Sequence, residues 1–71
     1  MDAELAGMIR QAGDAARQRA GASDRLRAHP DDIRRRVEFE MWERIEFQRA
    51  EAVRELASRL AGSTHIEAGG A

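Results

Sequence analysis

Residues 30–61 read PDDIRRRVEFEMWERIEFQRAEAVRELASRLA and decide the fold, because only here do a helix start, a helical apolar pattern and a stop occur together. Pro30 suits a first helical turn, where its missing N–H goes unused, and Asp31 and Asp32 set negative charge against the positive end of the helix dipole. Arg59 in the last turn and Gly62 just past the end supply the matching stop. In steps of four the apolar row runs Ile33, Val37, Met41, Ile45, Arg49, Val53, Ala57 and Ala61, and a second row joins Ala52, Leu56 and Leu60. Each such step advances about 40° around a helix, so the row winds around the rod instead of following a seven-residue seam, which disfavours a simple parallel zipper. Phe39 and Trp42 widen the apolar side next to Ile45. Asp31 with Arg35, Asp32 with Arg36, Arg34 with Glu38, Arg36 with Glu40, Glu40 with Arg44 and Glu55 with Arg59 are spaced to pair along the solvated side, each worth about 0.2–0.5 kcal/mol.

Upstream, residues 2–20 space Leu5, Ile9, Ala12 and Ala16 as one stripe of an amphipathic helix, with Met8 and Ala15 alongside. Gly7 and Gly13 each cost about 1 kcal/mol relative to alanine. The segment is therefore expected to be helical only when docked, with a partly disordered arm as the alternative. GASDRLRAH, residues 21–29, reads as a connection: Gly21 ends the first helix, Ser23 or Asp24 caps a short turn, and His29 before proline turns extended. A reversal here gives a helical hairpin. The long helix spans roughly 48 Å, and the first covers about half of it. Residues 63–71 have no period and end in glycines, so a hairpin domain over 1–62 with a flexible tail is expected.

Composition bounds what such a chain can do. Seventy-one residues make one domain, and a domain of that size buries only about 60% of its unfolded surface, so a partner is expected. Leu, Ile, Val and Phe supply twelve residues, a thin core, but twelve basic and thirteen acidic residues nearly cancel, unlike the repulsive composition of most disordered chains. All twelve basic residues are arginine, which points to GC-rich coding and a bacterial source. Absence of cysteine excludes disulfides, thiolate metal sites and cysteine nucleophiles. The amino terminus carries acid where a signal peptide needs base, and no run approaches a membrane span, so a cytoplasmic protein is expected.

Glu40, Glu43 and Glu46, with Glu38 nearby, invite comparison with helix-borne carboxylate metal sites. Such sites also need histidine in the same helices, and His29 and His65 lie elsewhere, so a solvated face is the better reading and no metal or cofactor is expected. Ser23, Ser58 and Ser63 lack a nearby base, no phosphate-binding glycine loop occurs, and so small a chain has no water-excluding pocket; an enzyme is not expected. Arg25, Arg27, Arg34, Arg35 and Arg36 form the one basic concentration, a possible nucleic-acid contact once doubled in a dimer, although Asp31, Asp32, Glu38 and Glu40 flank it. Arg49 interrupts the apolar row, either as a register-fixing residue reaching Glu46 or Glu38 of a partner or as a surface residue at the stripe's edge. Phe47 falls among charged residues, away from Trp42 and Ile45, and is expected to meet another chain.

The sequence thus predicts an all-α hairpin, a short Ala/Gly-rich helix followed by a long one over about 30–61, assembling into a dimeric four-helix bundle. Its expected role is a protein-interaction module, an accessory or regulatory subunit that self-associates or binds a larger protein. The interface is expected at Ile33, Val37, Phe39, Met41, Trp42, Ile45, Phe47, Arg49, Val53, Leu56 and Leu60. The alternatives are a small dimeric nucleic-acid-binding regulator and a subunit that folds only on a larger enzyme.

Overall fold

A computed structural model describes the backbone of residues 2–70 and the side chains of residues 2–62. Two helices, α1 (Ala3–Ala28) and α2 (Ile33–Gly70), pack against each other as a hairpin. Asp2 starts α1: its Oδ1 accepts the Leu5 N–H at 3.0 Å, and its carbonyl accepts from Ala6. Glu4 near the start and Arg25 and Arg27 near the end complement the dipole. His29 closes α1 with φ −135° and ψ 68°, outside the helical region that the following proline disfavours, and its N–H is shared between the carbonyls of Arg25 and Leu26.

The reversal occupies residues 29–32, not 21–29. Asp32 N–H donates to the His29 carbonyl, then Asp32 caps α2 by accepting the Arg34 N–H on Oδ1 at 2.9 Å. Pro30 therefore lies in the turn and not in the first helical turn. Gly21 does not end α1 because the packing stripe continues through it: Ala22 is fully buried, and Leu26 is half-buried. Gly62 is likewise inside α2, and no glycine among the described residues has positive φ, so none forms a left-handed cap. The tail expected over 63–71 lies outside the residues whose side chains are described.

One alternation of three and four organises both inward faces. On α1 it runs Leu5, Met8, Ala12, Ala15, Arg19, Ala22, Leu26; on α2 Arg35, Glu38, Trp42, Ile45, Arg49, Ala52, Leu56; none of these residues is exposed. This is the spacing of a coiled-coil seam, here closed within one antiparallel hairpin. The row in steps of four misses it, because charged residues occupy four of its fourteen positions. The six ion pairs expected four residues apart do not form among the described residues. Local pairs instead join Asp14 with Arg17, Asp24 with Arg27, Asp32 with Arg35 and Glu51 with Arg54, all three apart. Glu38 is engaged by the opposite helix.

The result is a rod, 60 × 16 × 13 Å, with a radius of gyration of 17.0 Å against about 11 Å for a compact domain of this length.

Candidate functional site

Three side-chain links fix the two helices in register. Arg25 Nε donates to Glu38 Oε1 at 2.7 Å near the turn. Midway, Arg19 Nε lies 2.9 Å from Glu46 Oε1, an ion pair whose N–H is not aimed along the contact. Farther out, Arg49 Nη1 donates to the backbone carbonyl of Gln11 at 3.0 Å. Arg49 thus docks on α1 of its own chain. Glu38 and Glu46, the acids expected to receive it, are taken by Arg25 and Arg19.

The expected interface residues divide into two groups. Phe39, Trp42, Ile45, Arg49, Val53 and Leu56 are half-buried and lie on the side of α2 from which Glu38 and Glu46 reach α1. Ile33, Val37, Met41, Phe47 and Leu60 remain exposed, Ile33 at 76% and Phe47 at 64%, and Ile9 of α1 joins them. Only Ala15 and Ala22 are buried among the described residues, and no large side chain is fully buried.

One flank of the hairpin carries an open groove between the helices, about 780 Å³ in volume. Its α1 wall includes Ile9, Gly13 and Ala16, and its α2 wall includes Glu43, Phe47, Ala50 and Arg54. The Arg19–Glu46 pair also lines it, and Phe47 is the one aromatic among its residues. Phe47 was the residue that helical angle alone singled out. The α1 wall was not legible, because it requires knowing which side of α1 lies beside Phe47.

The five arginines of the basic cluster gather at the turn end of the rod, since the reversal folds Arg25 and Arg27 back beside Arg34, Arg35 and Arg36. Arg25, Arg27 and Arg35 each pair with an acid. Arg34 and Arg36 are exposed. Among the described residues no three acidic or histidine side chains converge on a point where a metal would sit, and Glu46 of the glutamate row is committed to Arg19. No helix among the described residues is long and apolar enough to cross a membrane. Comparison with protein-family models, with curated proteins and with solved structures found no match.

Proposed function

We propose that the chain is a helical interaction module that completes its core by self-association into a four-helix bundle and acts as a small accessory or regulatory subunit. The observation that carries this reading is the mismatch between side-chain size and burial. Two alanines are the only buried residues described, while six large apolar side chains face solvent. A lone pair of helices has only one contact line, so apolar side chains off that line, Ile9 of α1 and Ile33, Val37, Met41, Phe47 and Leu60 of α2, stay uncovered.

Sedimentation equilibrium of the full chain at micromolar concentration tests this. A reversible monomer–dimer equilibrium is expected; a single 7.9 kDa species across the range would contradict it.

A second reading, a dimeric nucleic-acid binder, is favoured by the gathering of five arginines at one end of the rod. Three of those arginines already face carboxylates, which leaves little free positive charge. Titration with duplex DNA at two salt concentrations separates the readings, since phosphate binding weakens steeply with salt.

A further inference from the structure

We infer that the second copy docks antiparallel on the groove flank, with Phe47 at the centre of the contact and Glu43 and Arg54 pairing reciprocally across a two-fold axis. This rests on the self-association proposed above and names the face and orientation it uses.

Glu43, Phe47, Ala50 and Arg54 are spaced four, three and four apart, so at 100° per residue they point within an arc of about 60° on α2. Their order is the basis of the inference. A two-fold axis passing between residues 48 and 49 sets each Glu43 against Arg54 of the second copy, and each Phe47 against Ala50 of the second copy. A parallel arrangement would instead oppose Glu43 to Glu43 and Arg54 to Arg54, which repel. The stripe is therefore complementary to itself in one orientation only, the condition for a closed symmetric dimer.

The side chains are free to do this. Glu43 makes no hydrogen bond or ion pair among the described residues. Arg54 is held only by Glu51 on the exposed surface, from which it can turn to a facing carboxylate. Phe47 has a large ring exposed beside a trough and a small residue, Ala50, one turn away. The second helix agrees. The same axis crosses α1 beside the groove's α1 wall, between Gly13 and Ala16, both of which lack the bulk that would hold two α1 helices apart. A Cβ placed on Gly13 would meet only the end of the flexible Arg17 side chain of its own hairpin, at 3.8 Å, so what covers this spot can move aside.

The test measures the dimer dissociation constant of the full chain for the wild type, Glu43→Arg, Arg54→Glu and the double charge swap, with helix content followed by circular dichroism. Each single substitution opposes like charges at both ends of the stripe and is expected to weaken the dimer roughly tenfold. The double swap restores opposite charges and is expected to return affinity to within about threefold of the wild type. A wild-type dimer that is insensitive to the single substitutions, or is not rescued by the double, overturns this face and orientation while leaving self-association standing. A monomer at every concentration overturns both. Should a charge variant lose helix, Phe47→Ala carries the test: a dimer at least about tenfold weaker supports the docking, and an unchanged dissociation constant overturns it.

Discussion

The two helices of this hairpin contribute to it in opposite ways. α1 is built of small residues yet holds both buried positions, Ala15 and Ala22; α2 carries Trp42, Phe39, Phe47 and most of the large aliphatics, and none of them is fully buried. Burial here follows how closely the backbones approach, not how large the side chains are. An alanine beneath a neighbouring helix is sealed, whereas an aromatic on a rod two helices wide always keeps an edge in water. The small helix supplies proximity and the large helix supplies area, and the area left over is what a second molecule would cover.

That contrast can be broken most severely at α1. Ala22→Glu forces a bulky charged side chain into a position where no solvent reaches, at a cost of several kcal/mol, and is expected to abolish cooperative unfolding in circular dichroism. On the large helix the response is graded. Trp42→Ala removes a half-buried ring and is expected to destabilise by about 2 kcal/mol in urea unfolding, short of the value for a fully buried aromatic. Asp32→Ala removes the cap of α2, where Arg34, Arg35 and Arg36 already oppose the dipole, and is expected to cost about 1 kcal/mol. The smallest effects separate two glycines of α1. Gly13→Ala is expected to raise the thermal midpoint, by up to about 1 kcal/mol of stability, since its Cβ meets only ordinary contact. Gly21→Ala should gain less, because its Cβ comes within 3.3 Å of the Arg25 guanidinium that holds Glu38.

Much of this fold was legible in the sequence. The two helices and the departure of His29 from helical geometry before Pro30 follow from local chemistry, whereas the long helix starts at Ile33, after the Asp31–Asp32 pair, and Ile9 of the expected α1 stripe is exposed. What was hidden has a physical reason in each case. Gly21 reads as a stop only while the packing of Ala22 and Leu26 against α2 is unknown. The seam itself escaped because Arg19, Arg35, Glu38 and Arg49 occupy it; Arg19, Glu38 and Arg49 engage the opposite helix, and Arg35 pairs with Asp32. Apolarity alone gave a winding row, whereas the three-and-four alternation appears once charged residues are allowed into it. The exposure of Phe47 was foreseen from helical angle; the groove beside it depends on the rotation of α1, which no local signal sets.

The dependence of the thermal midpoint on protein concentration tests most directly the claim that one hairpin does not complete its own core. The melting temperature of the full chain is expected to rise steadily from low to high micromolar concentration, because dissociation accompanies unfolding. A midpoint that stays constant over that range, with full helix content at the lowest concentration, would contradict it.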